Sequence, residues 1–348
     1  MMKKRHILHW AMGVILTPLL GSCAADDVVG DAGREGCDII LGPAITVTSV
    51  TRSTDGRTSS TQFEQDEIVW LWAIKENTTN EHITAWKLKA NGSGGFSSFT
   101  TGSSAKYWPS DGYKLNVYAL HGNFTNSSSI SEGTTQWSNL SLTHTVETDQ
   151  SSDVNKRLSD LLYSRTSSAV APNNTVQLTF YHLLAKITVK LDLTNSKGIN
   201  EGELANAEVK LTNMLTSGDF NITNVSTIIT NGVSANTSGS RGEIKAGIIT
   251  QPSDMTSTDY EVGSAIVPLQ DFGGGKSTSS DDNVITITLS DNRSFSYKPT
   301  NSVVLTAGNE YIYTLKIING ELSVSSITVK DFTNETTQEK KWDIYAES

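Results

Sequence analysis

The sequence TVQLTFYHLLAKITVKLDL, residues 175–193, contains the longest strand pattern in the chain. Its apolar residues up to Phe180 share one parity, whereas those from Leu183 onward share the other. Because side chains alternate between the two faces of a strand, one regular strand cannot place both sets on the same face. The pattern therefore predicts a long buried strand interrupted by a β-bulge at His182-Leu183.

The spacing of the histidines in this chain does not indicate a catalytic site. His182 has no Cys, Asp or Glu near it at metal-ligand spacing, so the sequence favours a structural histidine over a ligand or a base. The other histidines form no HExxH pattern, and the chain contains no G-x-S-x-G elbow. We therefore predict no catalytic residues, no metal site and no cofactor.

Shorter strand patterns recur on both sides of residues 175–193, separated by Gly, Ser, Asp and Asn. The stretch Phe63–Ile74 carries Trp70 and Trp72 on one face. Its second half is apolar on both faces, which predicts a central strand. Since a sugar can stack on tryptophan, Trp86 and Trp108 remain candidates for a sugar site as well as for the core.

A hairpin is predicted near the C-terminal end of the strand patterns. Asn319-Gly320 is the dipeptide that type I′ turns favour, because both central residues need a positive φ. Residues 311–318 and 321–329 flank it. The turn predicts an apolar inner face with three opposed pairs, which are Ile317 with Leu322, Leu315 with Val324, and Tyr313 with Ser326.

Composition agrees with an extracellular all-β protein. Charged residues make up only 18% of the chain, and Ser, Thr, Asn and Gly are plentiful. The regular strand spacing predicts two tandem β-sandwich domains of the transthyretin-like or immunoglobulin-like Greek-key type, residues 44–172 and 173–332, with the boundary within Ser164 to Thr175. The net charge of -10 and the pI near 5.1 argue against a nucleic-acid partner.

The N-terminus is typical of an exported protein. Basic residues are followed by the apolar run Ile7–Leu20, which is shorter than the roughly 20 residues that a transmembrane helix needs. Leu20-Gly21-Ser22-Cys23 resembles a lipobox, which predicts a signal peptide over residues 1–22 and a lipid on Cys23. The alternative is an ordinary signal peptide that happens to precede a cysteine.

A flexible leader is predicted between Cys23 and residue 43. With Cys23 lipidated, Cys37 is the other cysteine, so the mature chain has no pair from which to form an internal disulfide. Ala44–Val50 then alternates as a first strand, and a polar Ser/Thr/Gly loop with Arg52 and Arg57 follows it.

Two loops in the C-terminal half carry residue types that are found in ligand sites. Residues 271–277 (DFGGGKS) imitate the end of a phosphate-binding loop, but Gln270 stands where the leading glycine would be, so we expect a flexible turn. Asp281-Asp282-Asn283 could contact calcium, although acidic hairpin loops are usually just solvated.

Five spaced stretches occur in a fixed order along the chain, and they are Phe63 to Ala73, Tyr107-Trp108-Pro109, Leu115 to Ala119, Asp160 to Tyr163, and Val176 to Ile187. Taken in order, they resemble the fimbrillin family of type V pili in Bacteroidota. In the C-terminal half only the strand pattern and the AGNEYIYTLKI hairpin are similar.

The resemblance implies a surface fimbrial subunit that is exported to the outer membrane as a lipoprotein. An Arg-specific protease would cut after Arg52 or Arg57, the strand Ala44–Val50 would leave, and another subunit would donate a strand in its place. Within the tail, residues 333–348, the donor segment would be Trp342, Ile344 and Tyr345. The alternatives are an uncleaved fimbrial anchor or tip, and a monomeric lipid-anchored protein that binds a glycan or a host protein.

Overall fold

The computed structural model describes residues 63–99, 106–124, 130–169, 176, 178, 180–221, 232–239, 241–276, 278–331 and 340–341. Nearly all of its regular structure is β. The strands in chain order are β1 (Ile68–Lys75), β2 (Glu81–Ala90), β3 (Phe96–Ser98), β4 (Leu115–His121), β5 (Ser141–Thr145), β6 (Leu162–Ala169), β7 (Phe180–His182), β8 (Ala185–Leu191), β9 (Glu208–Leu215), β10 (Ser217–Asn221), β11 (Arg241–Ile248), β12 (Tyr260–Val267), β13 (Asp271–Phe272), β14 (Val284–Thr288), β15 (Ser294–Tyr297), β16 (Val303–Val304), β17 (Asn309–Ile318), β18 (Glu321–Asp331) and β19 (Lys340–Lys341).

Six antiparallel strands form the N-terminal sheet, in the order β3-β2-β1-β4-β6-β7. β1 lies inside this sheet and is buried on both faces, as its sequence predicts. Val69 and Leu71 pack into one apolar cluster, whereas Trp70 and Trp72 pack into the other. A strand that is apolar on both faces must lie between two layers, which excludes an edge position for it.

Two larger sheets form the C-terminal part, and the predicted all-β sandwich fold is confirmed. One has the order β11-β9-β14-β15, and the other has the order β12-β8-β17-β18-β19. In the second sheet β8 and β17 run parallel, whereas the other pairs are antiparallel. A two-stranded sheet joins β5, from the N-terminal half of the chain, to β10.

The predicted bulge at His182-Leu183 is wrong, because the strand ends there. β7 pairs with β6, and His182 lies opposite Leu162 in the N-terminal sheet. From Ala185 onward, β8 pairs with β12 and β17 in the five-stranded sheet. Leu183 and Leu184 lie fully buried between the two sheets. The parity change in the sequence marks the point where the chain passes from one sheet to another. Side chains of the opposite parity face the core after this point.

The hairpin of β17 and β18 follows the predicted register only near its turn. Ile317 lies opposite Leu322 and Leu315 opposite Val324, as predicted. The register then shifts between Thr314 and Leu315, so that Tyr313 lies opposite Ile327 and not Ser326. Val324 is 40% exposed. The apolar face predicted for both strands is therefore interrupted in β18.

Two short helices, α1 (Asp153–Ser159) and α2 (Glu201–Leu204), occur between strands. The sequence carries no helical pattern over residues 149–159 and predicts a loop there, an expectation that is wrong for residues 153–159. The Ser152 side chain accepts a hydrogen bond from the backbone N–H of Asn155 and caps α1. Within the described part of the chain, no helix is long and apolar enough to cross a membrane.

The larger apolar cluster contains residues from both halves of the chain. Trp137 lies 6.4 Å from Phe220 between ring centroids, and Tyr163 lies 6.4 Å from the same ring. Phe220 belongs to β10, which pairs with β5. The two halves therefore share apolar contacts and backbone hydrogen bonds. The division into domains at residues 172 and 173 stays a prediction.

We expect Gly320→Ala to lower the free energy of unfolding by about 1 kcal/mol, because the left-handed backbone is strained for a residue with a Cβ. Gly320 has a φ of +84°, and a Cβ there would meet no atom within 4 Å. The loss would therefore come from the backbone and not from a clash. Urea unfolding of the wild type and the variant measures it.

Gly242→Ala is the matched control. Gly242 lies in β11 without a positive φ, and its added Cβ would approach only Thr216 Cγ2, at 3.9 Å. This variant should keep the wild-type stability or gain slightly. Equal losses in the two variants would contradict the role of the left-handed turn.

Candidate functional site

Phe63, the first described residue, packs its side chain against the N-terminal sheet. Its side chain is 2% exposed. Its ring centroid lies 5.6 Å from that of Phe96 on β3 and 5.0 Å from that of Phe180 on β7. β3 and β7 are the opposite edges of the sheet. Because a flat sheet of this width would separate its edges by roughly 24 Å, the sheet must curl until both edges meet at Phe63.

His182 and Asp160 form a buried pair at the point where the chain changes sheets. The Nδ1 atom of His182 lies 3.0 Å from Oδ1 and 2.9 Å from Oδ2 of Asp160. The pair joins β7 to the segment that enters β6. His182 is buried at the end of β7 and not at a bulge, and its structural role stays a prediction. The sequence analysis missed the partner, because Asp160 is far away in the chain.

Two further histidines lie buried beside this pair. His121 Nδ1 lies 2.8 Å from the Ile68 carbonyl, and His144 Nε2 lies 2.7 Å from the Ser159 carbonyl. The other ring nitrogen of each finds no hydrogen-bond partner in the described structure. Burial lowers the pKa of His144 to about 4, an effect that the nearby Asp160 opposes without offsetting it. His144 is therefore neutral near pH 7.

A second buried ionic group lies just after the change of sheets. Lys186 on β8 faces Glu310 on β17, with Nζ 3.1 Å from Oε1. The Thr188 hydroxyl donates to the same oxygen at 2.6 Å, and Lys330 Nζ lies 3.2 Å from Oε2. Burial alone would raise the pKa of Glu310, but Lys186, Thr188 and Lys330 outweigh it and lower this pKa to about 2. Sequence analysis missed this group, although Lys186 and Thr188 stand on the polar parity of the strand.

These contacts give the motif residues structural roles. The polar ones pair with each other across the change of sheets, and the aromatic ones fill the core. No group of three or more His, Cys, Asp or Glu in the described ranges could hold a metal ion. The arrangement can join two sheets rigidly, but it presents no nucleophile with an activating base beside it.

The tryptophans belong to the core. Trp70, Trp72, Trp86 and Trp108 are all buried. The Trp72 indole N–H donates to the Thr135 carbonyl at 2.8 Å. None of the four offers a ring face of the size that a sugar needs.

The acidic loop after β13 is not solvated as expected. Asp282 and Asn283 are buried. Asp282 Oδ2 pairs with Lys298 Nζ at 3.3 Å, and Asn283 Nδ2 donates to the Asn213 carbonyl at 2.7 Å. The glycine-rich turn is fixed as well, because Gly274 N donates to the Pro299 carbonyl at 2.7 Å.

The sites predicted for export, processing and assembly lie outside the described residues. They are the lipid site Cys23, the protease sites Arg52 and Arg57, the strand Ala44–Val50, and the donor residues Trp342, Ile344 and Tyr345.

A family model described as fimbrillin-like matches residues 51–331. The chain belongs to the fimbrillin-like family. The match covers most of the sequence and confirms the resemblance read from the ordered motifs. Membership favours a structural role over a catalytic one. Among curated proteins, none matches this chain.

Solved structures of two Bacteroides proteins are similar to this fimbrillin-like chain. A candidate cell adhesion protein from Bacteroides ovatus superposes with a TM-score of 0.60 at 16% identity, over 87% of this chain and 100% of that one. A second, from Bacteroides uniformis, superposes with a TM-score of 0.54 at 17% identity, over 78% and 94%. At such low identity, these likenesses establish the fold alone.

Replacing Phe63 with alanine should lower the free energy of unfolding by roughly 3–5 kcal/mol, because it leaves a cavity where the sheet edges meet. Phe99→Ala is the matched control. Phe99 is 45% exposed and lies under Lys87 Nζ, so its loss should cost less than about 1 kcal/mol. Urea unfolding measures both variants, and equal losses would show that Phe63 does not join the edges.

Acidification from pH 6.5 to pH 4 should destabilise the protein by about 3 kcal/mol through His144, since one pKa unit corresponds to 1.36 kcal/mol. The pKa of His144 is about 4 in the folded state and near 6.5 in the unfolded state. Between these values the unfolded chain binds more protons, so stability falls as the pH falls. Urea unfolding across this range measures the slope.

His144→Gln retains an N–H donor for the Ser159 carbonyl but does not titrate. Its stability should change less between pH 6.5 and 4 than that of the wild type. The same change in the half-exposed His82 is the control and should keep the wild-type slope. Acid also removes the stability that ionised Glu310 contributes, because the pKa of Glu310 is about 2 in the folded protein and 4.5 ordinarily. Most of this loss of stability falls below pH 4. An unchanged slope in His144→Gln would contradict the assignment.

Proposed function

We propose that this chain is a structural subunit of a surface fimbria, assembled by strand donation after cleavage by an Arg-specific protease. It is exported as a lipoprotein through Cys23, loses the strand Ala44–Val50 after a cut at Arg52 or Arg57, and contributes to adhesion. Its partners are other fimbrial subunits, the outer membrane and the protease. Membership in the fimbrillin-like family over residues 51–331 is the observation that carries this proposal.

The limits of the family match support the proposed processing. The match begins at residue 51, directly after the proposed removable strand, and ends at residue 331, before the proposed donor segment. A cut after Arg52 or Arg57 would leave the whole described fold in the mature chain. Phe63 would remain buried, since it lies after both cut sites.

The edges of the curled N-terminal sheet support the proposed strand exchange. Its edge strands β3 and β7 both contact Phe63, the first described residue after the proposed cut sites. Unpaired edge N–H and C=O groups accept an added strand, and apolar positions between them receive its alternate side chains. Removing the strand Ala44–Val50 would free such a position for a donor.

The donor segment follows a short strand at the opposite end of the chain. Thr328 and Val329 of β18 pair with Lys341 and Lys340 of β19. The segment from Trp342 to Tyr345 comes directly after this pairing. Its apolar Trp342 and Ile344 share one parity, as a donor strand requires for filling pockets.

The test is a change of both Arg52 and Arg57 to alanine in the native host. Wild-type surface protein should begin at Ser53 or Thr58 and run as denaturant-resistant ladders. The double variant should keep Cys23 at its N-terminus and lose the ladders, because the first strand stays in place. N-terminal sequencing and gel electrophoresis measure the two effects.

Arg165→Lys is the matched control, because Arg165 is an exposed arginine within the folded region. It should leave both the cut and the ladders unchanged. Ladders in the double variant would overturn the proposed processing. A wild-type protein that keeps a lipid-blocked Cys23 and forms no fibres in electron micrographs would instead be a monomeric lipid-anchored binding protein. Fibres that contain an uncleaved chain would indicate an anchor or a tip.

A further inference from the structure

The loop between β13 and β14 brings a lysine amine against a buried amide. Lys276 Nζ contacts Oδ1 of Asn283 and lies 3.0 Å from the Asp281 carbonyl oxygen. Neither residue has a part in the proposed assembly. An amine held against an amide carbonyl meets the first condition for acyl transfer, because proximity replaces a bimolecular encounter.

The amide group of Asn283 is fixed on both sides. Asn283 is 0% exposed. Its Oδ1 accepts a hydrogen bond from the Gly273 backbone N–H at 3.2 Å, and its Nδ2 donates to the Asn213 carbonyl at 2.7 Å. The amide therefore keeps its oxygen toward Gly273. A backbone N–H at this position also stabilises negative charge that develops on the oxygen.

The environments of the Lys276 amine and the Asp282 carboxylate suit an acyl transfer. Burial lowers the pKa of Lys276, and Arg241 lowers it further, which increases the fraction of neutral, nucleophilic amine. Nearby carboxylates oppose this shift without cancelling it. Asp282 is 5% exposed, precedes Asn283 in the chain, and accepts the Lys276 backbone N–H at 3.3 Å. It is the buried carboxylate that these contacts bring to the pair.

We propose that Lys276 and Asn283 form an intramolecular isopeptide bond. The neutral Nζ attacks Cγ of Asn283, and the new C–N bond forms while Oδ1 takes up negative charge facing the Gly273 N–H. The intermediate then breaks the Cγ–Nδ2 bond. Asp282 carries the proton that Nζ loses to Nδ2, which departs as ammonia. Amine and primary amide become secondary amide and ammonia, so no other reactant is required.

The cross-link would close the loop between β13 and β14 covalently. The Asn283 Nδ2 hydrogen bond to the Asn213 carbonyl would be lost with the departing ammonia, whereas Oδ1 would still accept from the Gly273 backbone N–H. A covalent ring restricts the unfolded chain and thereby favours the folded one. The proposal does not depend on fimbrial assembly and can be tested on protein that has not polymerised.

The test is tryptic digestion of the unfolded full-length protein, followed by mass measurement. Without a cross-link, trypsin cuts after Lys276 and yields peptides 246–276 and 277–293. With the cross-link, Lys276 resists trypsin, and the single peptide 246–293 is lighter by the mass of one ammonia. Two peptides of unshifted mass would overturn the proposal and leave an ordinary hydrogen bond.

Lys276→Arg is the control, because a guanidinium keeps the positive charge but is a poor nucleophile. The variant should be cut after residue 276 and show no loss of ammonia. Asparagine also loses ammonia when it cyclises onto its own backbone, and this loss would persist in Lys276→Arg. A persistent loss would therefore overturn the cross-link as well.

Discussion

The passage of the chain from one sheet to the next within two residues, Leu183 and Leu184, is the constraint on which the rest of this fold depends. Both residues are buried, so their backbone groups must find partners inside the protein. Leu183 N donates to the Leu161 carbonyl. The Leu183 carbonyl accepts from the Val233 backbone N–H, and the Leu184 carbonyl accepts from the Gly308 backbone N–H. The crossing is thereby bonded to three separate segments of the chain.

A buried pair of titratable side chains lies on each side of this crossing. Asp160 and His182 precede it, and Lys186 and Glu310 follow it. Each pair joins segments that are distant in sequence, so it forms only when both sheets are in place. Removing one partner would leave a buried polar group with fewer partners, which is more costly than losing a surface ion pair. Pairs of this kind favour one arrangement of the two sheets over others.

A fimbrial role makes particular demands on such a fold. A subunit that exchanges a strand must lose one element while the remainder stays folded. Under the proposed processing, the buried Phe63 and the crossing would both remain, since both lie downstream of the proposed cut sites. His144, beside the crossing, adds a cost at low pH, because it is buried in its neutral form. The burial of His144 therefore makes the stability of this fold sensitive to acid.

The sequence by itself determined the all-β class, most strand positions and the turn at Asn319-Gly320, because these depend on local periodicity and local turn chemistry. The fimbrillin-like family was indicated by the resemblance of its ordered motifs. It also showed a change of parity at His182-Leu183 but not its cause, since a bulge and a change of sheet give the same pattern. Only the tertiary structure decided that the chain changes sheets there, that Asp160 and Glu310 are the partners of His182 and Lys186, and that Phe63 lies between two edges. These features arise from contacts between segments far apart in the chain, and no spacing within one segment encodes them.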